Sequence, residues 1–255
     1  MIDRGSFSIA LAAGVAGSLL GVRTSRAAGG IRNIVLVHGL YADGSSWSEC
    51  IVRLQAAGMN VTAVQNRLTS FADDVAATRR ALAMQSGPTV LVAHSYGGMV
   101  ITEAGIASNV AALVYIAARA PDAKEDYTAL AKRFPAPPAS AGLVTFEGYS
   151  QLNEHAFLND FANGVDPAKA HALYAVQAPN VATFPSTART TVAAWRAKPS
   201  WYAVSKEDRT INPDLERFMA ARMKATTIEI DSGHLSLVSH PQEVSALILQ
   251  AAGSA

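Results

Sequence analysis

The sequence predicts an α/β protein: a mostly parallel sheet of about six strands, flanked by helices. Three observations predict this. Short runs rich in Val, Ile and Leu recur along the chain and are apolar at nearly every position, as strands buried on both faces are. Helical stretches with one apolar side separate them. The chain has 255 residues, half of them hydrophobic, which suffices for one α/β domain with a large core.

The elements follow in order. Ile31 to Val37 is an apolar strand bounded by Gly39. Ser46 to Gly58 reads as a helix, with Trp47, Ile51 and Leu54 on one face and Gly58 as its C-cap. Asn60 to Val64 is a short strand. Ser70 with Asp73 three residues on resembles a capping box and opens a helix to about Gln85. Thr89 to Ala93 is a strand, followed by a helix from Ser95 to about Ala107, and Val110 to Ala117 is again a continuous apolar strand. Ser200 to Val204 and Thr226 to Ile230 read as later strands. Asn212-Pro213 caps a helix reaching about Lys224, and Pro241 starts the last one.

Two segments break the rhythm. Residues 122–199 are rich in Ala and Pro and carry aromatic residues without strand alternation; they read as a helical cap inserted after the strand near 110–117. Phe134, Phe157, Leu158, Phe161, Leu173 and Tyr174 make this segment too apolar for a solvated linker. The expected core is then residues 29–121 and 200–255. Residues 1–28 differ in kind: Arg4, a small apolar stretch from Ile9 to Val22, then Ser25-Arg26-Ala27-Ala28 with small-x-small cleavage options. This pattern reads as a bacterial-type export signal, and hence a periplasmic or secreted protein. Asp3-Arg4-Gly5-Ser6-Phe7 is a degenerate twin-arginine-like motif, with Gly5 where the second Arg would stand.

The formal net charge of +1 suggests no nucleic-acid partner, and no membrane association is expected once the signal is removed. Cys50 is the only cysteine, which excludes an intrachain disulfide and a cysteine metal site; it reads as a small core residue on a helix. No metal or organic cofactor is implied, since no cluster has ligand spacing.

Chemistry concentrates at Ala93-His94-Ser95-Tyr96-Gly97-Gly98, where a buried strand meets a helix through a Ser flanked by small residues. This is the pattern of a nucleophile elbow, a turn sharp enough to expose the Ser at the top of a sheet. A Ser hydroxyl needs a base. His234 follows the last strand, at the carboxyl edge of a parallel sheet that also presents Ser95. Asp208, after the strand ending at Val204, would orient His234, and Ser…Asp…His is the chain order expected for such an elbow. Glu207 is the adjacent competitor, Asp122 a more distant one, and Asp231 lies too close in sequence to His234 to reach round its ring. Oxyanion donors are expected from the backbone N–H of Tyr96 and of Leu40, in the turn that Gly39 permits. His38 and His94 read as loop braces; His155, His171 and His240 as cap or surface residues. The cap would wall an apolar substrate pocket, with Gly39, Tyr41, Tyr127, Phe134, Trp195 and Leu235 as candidate lining residues.

Together, Val35-Leu36-Val37-His38-Gly39 with Trp47, Leu54-Gln55-Ala56-Ala57-Gly58, His94-Ser95-Tyr96-Gly97-Gly98-Met99, Lys206-Glu207-Asp208 and Gly233-His234 resemble the α/β-hydrolase superfamily. Within it, the chain is similar to the plant methylesterase and hydroxynitrile lyase branch. The resemblance spans nearly all of the chain after residue 28. It implies an α/β-hydrolase fold and a serine hydrolase acting on a small-molecule carboxylic ester through Ser95, His234 and Asp208. The lyases of that branch carry a Thr where this chain has Gly39 and a Lys where it has Leu235, which argues for hydrolysis over cyanohydrin cleavage. A Ser in place of an Asp nucleophile argues against dehalogenase and epoxide hydrolase chemistry. The same triad leaves open a C–C hydrolase, a lactonase, a cofactor-free perhydrolase, or a slow-turnover ligand-binding receptor.

Overall fold

In the computed structural model, which describes residues 30–253, six strands form one sheet. They are β1 (Asn33–Val37), β2 (Asn60–Val64), β3 (Thr89–His94), β4 (Val110–Ile116), and, after three strands of the insertion, β8 (Ser200–Ser205) and β9 (Thr226–Ile230). Their order is β2-β1-β3-β4-β8-β9, and every neighbouring pair is parallel. The export reading of residues 1–28 lies outside the described residues. Among the described residues no helix is long and apolar enough to cross a membrane.

The continuous apolar strands have their physical reason here. Val35 and Val37 of β1 enter one core, with Leu82, Val100 and Met219; Ile34 and Leu36 enter the other, with Leu54, Leu247 and Ile248. Both faces of the sheet are covered, so every side chain of β1 is buried. The helices over the first face are α2 (Phe71–Ala83), α3 (Gly97–Ala104) and α8 (Pro213–Met223); those over the second are α1 (Ser48–Ala56) and α10 (Pro241–Ala251). Ser70 caps α2, accepting from the Asp73 N–H at 3.1 Å, as the sequence predicts. Asn212 likewise caps α8 ahead of Pro213. The thiol of Cys50 is buried on α1, and burial pushes its pKa up to about 12. The N–H of Ile31 donates to the carbonyl of Ala252 at 3.1 Å, which brings the two ends of the described chain together.

The insertion differs from the helical segment expected. It contains the helices α4 (Tyr127–Ala131), α5 (Glu154–Ala156), α6 (Pro167–Ala175) and α7 (Phe184–Thr187), and a π-helical turn at Phe157–Phe161. It also holds a three-stranded antiparallel sheet of β5 (Leu143–Phe146), β6 (Tyr149–Leu152) and β7 (Asn180–Val181). β5 and β6 form a hairpin through Glu147 and Gly148, both at positive φ (46° and 83°), as tight two-residue hairpins require. Glu-Gly is a weaker signal than Asn-Gly, and all four residues of β5 are exposed, so the hairpin has no buried alternation to show in sequence. A short helix, α9 (Ser236–Ser239), also went unpredicted.

The sheet register positions the site. Val37 pairs with Ala93, His94 with Ile116, Ile116 with Ala203, and Ser205 with Ile230. The strands therefore end nearly level, and the loops after β1, β3, β8 and β9 leave from one edge.

Candidate active site

Ser95 sits between β3 and α3 with φ of +54°. A non-glycine residue in that region costs about 1–3 kcal/mol and persists where its surroundings hold it. They do: the Ser95 N–H donates to the carbonyl of Ile116 at 3.2 Å, and its own carbonyl accepts from the N–H groups of Gly98 and Arg119, each at 3.0 Å. A Cβ on Gly98 would lie 2.2 Å from the Arg119 carbonyl oxygen, so only glycine lets β4's end approach the elbow this closely.

His234 is fully buried, and its Nδ1 lies 2.5 Å from Asp208 Oδ2. The other Asp208 oxygen accepts from the N–H groups of Thr210 (2.6 Å) and Ile211 (2.8 Å). A carboxylate is an acceptor only, so the contact is made by the tautomer with its proton on Nδ1, which leaves the lone pair on Nε2. Nε2 is buried and has no hydrogen-bond partner. Ser95 Oγ makes no hydrogen bond to it; such bonds are commonly long in ligand-free enzymes. The rival acids are placed elsewhere. Glu207 is exposed, Asp122 pairs with Arg196, and Asp231 pairs with Lys206.

The loop after β1 lies against the elbow. A Cβ on Gly39 would stand 2.6 Å from Ser95 Cβ and 3.2 Å from its Oγ. Among the described residues, neither the Leu40 N–H nor the Tyr96 N–H donates to a protein acceptor. His38 braces this loop: its Nδ1 donates to the Gly39 carbonyl at 2.9 Å and its Nε2 accepts from the Asn66 N–H at 2.9 Å. His94 lies beneath His234, ring centroids 4.5 Å apart, with its Nε2 donating to the His234 carbonyl at 3.1 Å. Burial lowers the pKa of His38, and burial followed by the nearby His234 lowers that of His94 further; both imidazoles are neutral at pH 7. From the insertion, Phe161 of the π-helical turn packs 5.2 Å from the His234 ring.

A cavity of about 340 Å³ is lined by chain neighbours of these groups, Leu40, Thr210 and Ile211 among them, with Ser95, Asp208 and His234 themselves off its wall; its size is within that of small-ligand pockets. Leu40, Tyr41 and Arg119 wall it on the elbow side, Ile211 and Leu215 on the Asp208 side, and Tyr127, Pro137 and Leu152 on the insertion side. Of the lining residues expected from sequence, Tyr41 and Tyr127 are on its wall. Gly39 is beneath, against Ser95. Leu235 lines a second, smaller cavity with Tyr41 and Phe161. Trp195 is not on the wall, which corrects the expectation: it is buried against α3, its Nε1 donates to the Pro121 carbonyl at 2.9 Å, and Arg196 and Arg222 stack on its ring. Phe134 packs instead on Phe218, at 5.9 Å.

Two residues near the site escaped sequence reasoning. Arg119, two residues past a strand, looks like an ordinary surface cation. Glu216 on α8 is fully buried and accepts from the Ser205 N–H at 3.1 Å, while its other oxygen is buried without a hydrogen-bond partner. Burial, then the Asp208 charge, pushes its carboxyl well above the usual range, which favours the protonated form. A sequence signal existed, because Glu216 shares its helix face with buried Met219, Ala220 and Met223.

Residues 34–247 match the model of the alpha/beta hydrolase family. No curated protein sequence matches. Among solved structures, polyneuridine aldehyde esterase superposes with a TM-score of 0.75 at 19% identity, covering 86% of this chain and 98% of that one. An extracellular alpha/beta-hydrolase from a Paenibacillus species gives 0.71 at 20% identity, with 86% and 98% covered. A methylesterase from Arabidopsis gives 0.72 at 16% identity, with 88% and 99% covered. At these identities the likeness is one of fold.

Proposed function

The chain belongs to the alpha/beta hydrolase family, and from that premise we propose that it is a serine hydrolase that cleaves a carboxylic ester of a small, largely apolar substrate. The observation that carries this reading is His234. Its Nδ1 is tied to Asp208 and its buried Nε2 is unpartnered, at the sheet edge that presents a strained Ser95.

In this reading, His234 Nε2 takes the proton of Ser95 Oγ as Oγ attacks the ester carbonyl. The N–H groups of Leu40 and Tyr96 stabilise the tetrahedral oxyanion. The intermediate collapses, the C–O bond to the alcohol breaks, and the imidazolium returns its proton to the leaving oxygen. Water then attacks the Ser95 acyl-enzyme by the same path and frees the acid. Asp208 holds the tautomer and stabilises the imidazolium. Gly39 supports hydrolysis over cyanohydrin cleavage: even a Cβ there meets Ser95, so this loop has no room for a Thr. Leu235 puts no cation after His234 to receive a leaving cyanide. Residues 1–28 support an exported, periplasmic or secreted enzyme by sequence pattern, and one structural neighbour is extracellular.

The test is hydrolysis of p-nitrophenyl acetate by purified wild type and Ser95→Ala. A loss of about 10⁴-fold or more in kcat is expected. Wild-type rates in the Ser95→Ala protein would sink the mechanism.

A further inference from the structure

We propose that Arg119 is a specificity-determining residue, and that the preferred substrate is an ester carrying a free carboxylate on the part held in the cavity. This rests on the serine hydrolase reading above and names its substrate class.

Among the described residues, Arg119 is the only charged one on the wall of the 340 Å³ cavity. Its backbone is locked to the nucleophile turn through the bond from its N–H to the Ser95 carbonyl at 3.0 Å. Its guanidinium is 4.8 Å from the Tyr127 ring centroid, and its Nε is buried with no hydrogen-bond partner. Other arginines around the insertion are matched to acids: Arg189 with Asp126, Arg196 with Asp122, Arg222 with Glu125. Among the described residues, Arg119 has no such carboxylate.

An unpaired guanidinium partly removed from water loses hydration that no protein group replaces. Its donors form a rigid fork that matches the two oxygens of a carboxylate, and an apolar cavity strengthens that pairing. The charge count selects the anion. One cation on an otherwise uncharged wall balances one negative charge, which fits a carboxylate and leaves a phosphate dianion with an unmatched charge. Because the Arg119 backbone is bonded to Ser95, a carboxylate on the guanidinium and an ester at Ser95 belong to one small molecule. The fitting class is a half-ester of a short dicarboxylic acid.

The experiment compares monomethyl glutarate with methyl pentanoate, which has a methyl group in place of the carboxylate, and reads the ratio of their kcat/KM values. Wild type is expected to favour the half-ester at least tenfold, with the preference falling as salt is added. Arg119→Met should lower the ratio at least tenfold and Arg119→Lys should keep part of it. Calorimetry on Ser95→Ala provides a readout without turnover: monomethyl glutarate should bind more tightly than methyl pentanoate, and Arg119→Met in that background should remove the difference. A wild-type ratio at or below one overturns the proposal, as does a ratio that Arg119→Met leaves unmoved because both esters fall together. Failure of the hydrolase reading looks different, since p-nitrophenyl acetate turnover would then survive Ser95→Ala.

Discussion

Glu216 and Asp208 are buried acids whose charges act on each other, and the same Asp208 holds His234 through its Oδ2. Two carboxyl groups that close cannot both ionise cheaply, so the pair keeps a proton, and it resides on Glu216.

The first prediction concerns this pair. The folded pKa of Glu216 lies above its ordinary value of 4.5, so the native state keeps a proton that the unfolded chain releases. Its stabilising effect is complete below about pH 4.5 and is lost as pH rises through the folded value. Glu216→Gln, permanently neutral and still an acceptor for the Ser205 N–H, should therefore gain stability over wild type as pH increases. Glu216→Ala should lose about 1–3 kcal/mol at pH 5, because the buried Ser205 N–H loses its acceptor. Urea unfolding at pH 5, 6.5 and 8 measures both. A Gln-minus-wild-type difference that is flat with pH would refute the assignment.

His38 and His94 set an opposite limit at the acid side. Their folded pKa values lie below the ordinary 6.5, so the unfolded chain takes up protons first as pH falls. The stability they support is present above about pH 6.5 and is lost as pH drops toward the folded values, by up to about 1.4 kcal/mol per residue per pH unit. Protonated His38 would also forfeit the bond from the Asn66 N–H to Nε2. Melting temperatures from pH 7.5 to 5 should fall, and His94→Gln should flatten the slope.

Gly39→Ala should cost about 100-fold or more in kcat/KM with the fold retained, because the new Cβ would meet Ser95 Cβ at 2.6 Å and displace Ser95 or the Leu40 N–H. Ester kinetics alongside far-UV circular dichroism separate the two effects. An unfolded Gly39→Ala protein, or one of full activity, contradicts it.

Asp208→Asn should lower kcat by about 10⁴-fold by allowing the wrong His234 tautomer. Glu207→Gln and Asp122→Asn should stay within a few fold of wild type, since Glu207 is exposed and Asp122 is held by Arg196. A large loss in either of the latter would move the acid's role to it.

Most of the core could be read in the residues. The six strands of the main sheet are apolar throughout or bracketed by caps, and Ser70, Asn212 and Gly58 mark helix ends by mechanisms that need no tertiary context. The β5–β6 hairpin could not be read, because its register is set by two positive-φ residues, not by burial. Trp195 shows a different limit. A large aromatic residue in an apolar insertion looks like pocket lining, and only packing reveals that Arg196 and Arg222 stack on it. Arg119 and Glu216 were hidden for a shared reason. Charged side chains usually face water, and whether a charge is paired, buried or alone is a property of three-dimensional neighbours.

The bond between Ile31 and Ala252 makes the folded domain nearly a ring. Because these ends already touch, a short linker can join them without disturbing either core, and new termini can be opened elsewhere. Gly148, at the tip of the β5–β6 hairpin with open space around it, is a suitable point to cut. Such a circular permutant would start and finish inside the insertion, with Ser95, Asp208 and His234 all carried on one uninterrupted stretch of core.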